Sequence, residues 1–178
     1  MNKFSFTIVA SGLDHEAEDF EDHLFESGCD DATISVQKGL INLDFNREAR
    51  SFNHALRSAI WDVESAGARV VHLEPGHLVS LSDIAARVGL TRAAVSHYAK
   101  GKRSSGFPAP VIRVTTESPL WDWVEVARWF RREGRLTMHD LLRARLVRSI
   151  NVSIMARNAG SIRGFDSERG RGSGSVAG

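Results

Sequence analysis

The stretch SDIAARVGLTRAAVSHYAKGKRSSGFPAPV, residues 82–111, constrains the fold more tightly than any other part of this chain. Ala85 lies four residues before Gly89, and Gly89 lies six before Val95. A small residue lets two helices cross closely, a glycine lets the backbone turn left-handed between them, and apolar residues pin the second helix onto the first. Ile84, Val88, Leu90 and Tyr98 fill the remaining inward positions. Both helix starts are marked. Ser80 and Asp83 have the spacing of a capping box, and Thr91 is a good N-cap for a helix over residues 92–100.

This is the pattern of a helix-turn-helix. The segment that follows, GKRSSGFPAPVIRVTTESPLWDWVEVARWF, resembles the winged helix-turn-helix of the MerR-like and excisionase-like DNA-binding proteins. Phe107, Pro108 and Pro110 match its Phe-Pro-x-Pro element. Val111 to Val114 and Leu120 to Trp121, around Ser118-Pro119, match the two-stranded wing, and Trp129-Phe130 match the aromatic end of the short helix after it. The resemblance covers residues 78–132 and implies double-stranded DNA as the partner. One position departs from the pattern, because Glu117 places a carboxylate at the wing tip where a cation would meet phosphate.

A recognition helix enters the major groove by its N-terminal end. Arg92 can then donate a bidentate pair to guanine or clamp a phosphate, Ser96 and His97 point outward at helical spacing, and Thr91 can offer a hydroxyl or amide to phosphate. Lys100, Lys102, Arg103 and Arg113 suit contacts to the nucleic-acid backbone. The alternative use of such a surface is to dock a protein.

The net charge of +1 conceals an uneven distribution. Residues 1–75 carry 6 Lys/Arg against 14 Asp/Glu, a balance of −8, whereas the remainder carries 17 against 8, a balance of +9. A basic half beside an acidic one fits a polyanion-facing domain joined to one with another task. That other task is assembly or sensing, and the acidic domain leaves room for a protein partner.

The acidic half, residues 1–75, reads as a βαββαβ unit. Phe4, Phe6, Ile8 and Ala10 alternate as on a strand with one buried face. A helix capped by Asp14 is expected next, with Ala17, Phe20, Leu24 and Phe25 as its stripe and Gly28 after its last turn. Ile34 and Val36, then Ile41, Leu43 and Phe45, mark two strands joined by a hairpin at Lys38-Gly39. Ser51 caps a second helix whose buried face is Phe52, Leu56, Ala59, Ile60 and Val63, ending at Gly67 before a fourth strand. The order is that of ferredoxin-like folds. A sheet with helices on one face needs cover on the other, so pairing with a second copy, a homodimer, is expected.

The fold class expected is therefore α+β: a ferredoxin-like domain (1–75), a winged helix-turn-helix (78–134), a C-terminal helix (137–158) and a disordered Gly/Ser/Arg-rich tail (159–178). In the C-terminal helix, Thr137 and Asp140 form a capping box, and Leu142, Leu146, Ile150 and Ile154 recur every four residues as the packed stripe, with Met138, Leu141, Val147 and Met155 beside them. Arg143, Arg145, Arg148 and Arg157 make the rest of that helix basic.

Other chemistry is poorly represented. Trp121, Trp123 and Trp129 read as core packing, and Cys29, the one cysteine, reads as buried. His72 and His77 flank Glu74, yet no zinc-ligand spacing surrounds them, so no metal and no cofactor is expected. No nucleophile signature points to an enzyme. With no signal segment or membrane-length apolar run, a cytoplasmic location follows. The functional expectation is a sequence-specific transcriptional regulator, with an excisionase-like DNA-bending factor and an antitoxin-like interaction module as alternatives.

Overall fold

The structure, a computed structural model, describes residues 1–102 and 105–169. In chain order its elements are β1 (Asn2–Ser11), α1 (Phe20–Leu24), β2 (Ala32–Gln37), β3 (Leu40–Ala49), α2 (Phe52–Ser65), β4 (Arg69–Glu74), β5 (Leu78–Val79), α3 (Leu81–Val88), α4 (Arg92–Ala99), β6 (Trp121–Asp122), α5 (Trp123–Arg132) and α6 (Met138–Arg169). The fold is mixed α+β. It divides into two compact units, the first holding Met1–Glu74 with the chain from Ile150 onward, the second Pro75–Ser149. Among the described residues, no helix is long and apolar enough to cross a membrane.

The first unit is built on a four-stranded sheet ordered β2-β3-β1-β4, every neighbouring pair antiparallel. Alternation sets the register: Phe6 faces Phe45, Ile8 faces Leu43 and Ala10 faces Ile41, and all six are buried. The β2–β3 hairpin turns at Lys38 and Gly39, whose φ values of 54° and 76° are the left-handed pair that a tight two-residue hairpin requires. In α2, the Ser51 hydroxyl accepts from the His54 amide, and Ala55, Leu56, Ala59 and Val63 are buried.

Two expectations change here. The first helix begins at Phe20 and not after Asp14, because the Asp14 carboxylate accepts the Glu16 amide at 3.1 Å and so holds a local turn that competes with helix. It then widens into a π turn over Phe25–Cys29, and Gly28 does take the left-handed conformation, at φ 99°. The open face of the sheet is largely polar, with Ser5 bonded to Asn46 at 3.3 Å and Thr7 to Asp44 at 2.6 Å; Ser5, Asp44 and Asn46 are exposed and Thr7 is half-buried. An antiparallel sheet can present such a face to water, so this surface supplies no apolar reason for a second copy.

The β4 edge is closed by α6. The Asn151 side chain accepts the Leu73 amide at 2.7 Å and donates to the Leu73 carbonyl at 3.1 Å, as a neighbouring strand would. Asn158 donates to the Val70 carbonyl at 3.2 Å, Arg157 pairs with Glu64 at 3.0 Å, and Ile154 is buried. Covering an edge in this way satisfies its backbone groups and removes a template for aggregation.

The second unit has a two-stranded sheet, β5 with β6, and a core of Val79, Ile84, Ala85, Val95, Tyr98, Trp121, Val126, Trp129 and Phe130. Its aromatic rings meet edge to face: Trp129 lies 5.1 Å from both Tyr98 and Phe107 and 4.9 Å from Phe130, between ring centres. Trp121 donates to the Pro108 carbonyl at 3.0 Å and Trp129 to that of Ser105 at 3.3 Å, which folds the proline segment back onto the core. Trp123 is half-buried, with the Arg87 guanidinium 4.9 Å over its ring.

Helix α6 departs from expectation twice. In the second unit it buries Leu141 and Ala144, and in the first Asn151 and Ile154, while Leu142 and Met155 are 51% and 58% exposed. Residues spaced by four drift about 40° around a 3.6-residue helix at each step, so Leu142, Leu146, Ile150 and Ile154 cannot share one line of contact. The helix also runs on to Arg169, through residues expected as tail. Residues 170–178 of the expected tail lie outside the described residues.

Candidate functional site

The α3–α4 pair is fixed by local chemistry at each joint. The Ser80 hydroxyl accepts the Asp83 amide at 3.2 Å, and the Asp83 carboxylate accepts the Ser80 amide at 2.8 Å, closing a capping box. Burial alone would raise the Asp83 carboxyl, but the hydrogen bonds from Ser80 and the nearby Arg87 outweigh it and hold it below its ordinary value. Gly89, at φ 66°, turns the chain, and the Leu90 amide donates back to the Ala85 carbonyl at 2.9 Å. Thr91 then accepts the Ala94 amide at 3.2 Å and starts α4.

Because Val95 and Tyr98 face the core, the opposite side of α4 is settled by helical geometry. Arg92, Ala93, His97 and Lys100 are exposed and Ser96 is half-buried, so the structure gathers Arg92, Ser96, His97 and Lys100 on one outward surface with Thr91 at its start. This face bears no carboxylate. Ala93 is the position missed by the sequence reading; its signal was available, because it precedes Ser96 and His97 by three and four residues.

The basic extension is tied to the end of α4. Lys100 is the C-cap, Gly101 takes φ 67°, and the Lys102 amide donates to the His97 carbonyl at 2.9 Å, keeping Lys102 beside that turn. Arg103 lies outside the described residues. Arg113 is exposed in a left-handed conformation, φ 54°, with its carbonyl accepting the Thr116 amide at 3.0 Å.

The expected two-stranded wing is reduced to one bridge, Ile112 with Leu120. Trp121 pairs with Val79 and not with the segment before the turn. The cause is local: Pro108 and Pro110 have no amide to donate, and Arg113 leaves the extended region immediately after the bridge. Val111, Ile112 and Val114 are left 52%, 43% and 61% exposed around Arg113.

The residues considered for other chemistry sit in unremarkable surroundings. His72 pairs with Glu74 at 3.1 Å, and no group of three or more potential metal ligands occurs among the described residues. Cys29 is buried, and burial, with Asp62 next in effect, pushes its thiol up to about 11, away from the thiolate a nucleophile needs. The sequence matches no protein-family model, and comparison with curated proteins and with solved structures finds no match.

Proposed function

We propose that α3 and α4 form a helix-turn-helix, that the second unit is a winged helix-turn-helix of the MerR-like and excisionase-like kind with a shortened wing, and that the protein is a sequence-specific double-stranded DNA-binding regulator. On this reading the first unit, with its β2-β3-β1-β4 order, is ferredoxin-like. The observation that carries the function is the outward face of α4: a cation at each end, Arg92 and Lys100, small Ala93 between them and His97 alongside, with no acid on the face. Small and polar residues let a helix approach base edges, and cations anchor it to phosphate.

Selection of bound duplexes from a random library tests this. An enriched motif that is lost in the Arg92→Ala, His97→Ala double variant is the expected outcome, and no enrichment by the parent protein overturns sequence reading. With about six cations neutralising phosphates, log affinity falls with log salt at a slope of about −5; a slope near zero contradicts a phosphate-anchored mode.

A second reading, DNA bending, draws on the loop around Arg113. An arginine flanked by exposed Val111, Ile112 and Val114 has the composition of side chains that enter a minor groove and unstack a base step. Circular-permutation gel shifts separate the two readings, since a large bend favours the architectural role.

A further inference from the structure

The two edges of the four-stranded sheet are treated differently. At β4, α6 supplies Asn151 and Asn158 to the outer backbone groups. At β2 no strand or helix of the described residues pairs on the outer side. Strands left at an edge are ordinarily defended by a charge, a proline or a bulge. β2, with the sequence ATISVQ, carries none of these, pairs with β3 in unbroken register and leaves Val36 38% exposed.

We propose that this edge is the dimerisation surface of the protein, with β2 of two copies pairing antiparallel about a two-fold axis to make one eight-stranded sheet. The proposal goes beyond the DNA reading and stands without it. Three observations select a second copy as the occupant.

The first is self-complementarity. A two-fold axis normal to the sheet keeps each face on its own side, so a residue can oppose only one of the same parity. With Ser35 opposite itself, Ile34 opposes Val36 of the copy at two equivalent places on the helix-bearing side, and Thr33 opposes Gln37 on the polar side. Over residues 33–37 apolar meets apolar and polar meets polar. The second is charge: in that register Lys38, which follows one strand, faces Ala32 of the copy and lies one diagonal step from Asp30, which precedes the other strand. The third is closure. Because α6 occupies the β4 edge, the four-stranded sheet offers one free edge among the described residues, so pairing through that sheet stops at two copies and does not propagate into a filament.

Light scattering on the full chain at tens of micromolar is expected to give twice the 19.6 kDa chain mass. Val36→Lys, which sets a charge against Ile34 of the copy, should return the mass to that of one chain with an unchanged circular dichroism spectrum. The register is read by Ser35→Cys under mild oxidation. This exposed position meets its own image and should form a disulfide-linked dimer, whereas Thr33→Cys alone should not. A single-chain mass for the parent protein, a dimer that survives Val36→Lys, or failure of Ser35→Cys to cross-link would each overturn the proposal, and the cross-link decides it even where Val36→Lys fails to fold.

Discussion

Arg47 is the residue on which the first unit is most tightly cross-linked. It is 8% exposed, and its guanidinium donates to both oxygens of Asp31 at 2.7 and 2.8 Å, to Asp62 and the Gly28 carbonyl at 2.6 Å, and to Ser58 at 3.1 Å. Burial opposes its charge, yet the hydrogen bonds to Asp31 and Asp62 raise its pKa above the ordinary arginine value, so it stays protonated throughout. The site leaves no slack around it: a Cβ on Gly28 would come within 3.0 Å of the Asp62 carboxyl carbon. Replacing Arg47 with Met strands two carboxylates, and a loss of about 3–5 kcal/mol is expected in urea unfolding. Arg47→Lys should recover only part of it, because an ammonium cannot reproduce the planar fork. The position was legible in outline, since Arg47 continues the inward phase of Ile41, Leu43 and Phe45. Its partners were not, because nothing local links Asp31 and Asp62 to a strand that lies between them in the chain.

At the scale of elements, the features legible in the sequence are those whose chemistry closes within a few residues. The Ser80–Asp83 box, the Thr91 cap, Gly89 and the Lys38-Gly39 turn all stand where their spacing puts them. The start of α1, the length of the pairing between Ile112 and Leu120 and the face of α6 are not legible, for the opposite reason: each depends on a competing turn, a partner strand or the angular drift of a long helix. His77 shows what such context does to a titrating group. Its carbonyl accepts the Trp123 amide at 2.7 Å, and burial lowers its pKa below 6.5, Asp122 opposing and Arg148 reinforcing the shift. The folded state therefore prefers the neutral ring. Its contribution is complete above the unfolded value of 6.5 and is lost as pH falls through the lower folded value, where the unfolded chain binds the extra proton. Melting temperatures followed from pH 7.5 to 5 should decline for the parent protein, and His77→Gln should flatten that part of the curve. An identical slope in the variant would assign the decline to other groups.

Over the whole molecule, a linear division of the chain puts the acidic domain before the basic one, and the first 74 residues do form one unit, but that unit is completed by residues from Ile150 onward. No composition shift announces this, because Asn151 and Asn158 are ordinary polar residues on a helix and acquire their role only beside the Leu73 and Val70 backbone. The arrangement makes the stability of the N-terminal unit depend on the far end of the chain. Asn151→Ala leaves a buried amide and carbonyl of Leu73 without partners, which costs about 1–3 kcal/mol. The variant should melt earlier, with the amides of β4 exchanging faster with deuterium than those of β1 and β3. A chain ending at residue 149 should show the same pattern more strongly and, with a second edge open, should assemble beyond two copies, visible as a mass that rises with concentration in light scattering. Protection of β4 unchanged in both variants would mean that the edge holds itself, and the asymmetry between the two sheet edges, on which closure at two copies depends, would then be gone.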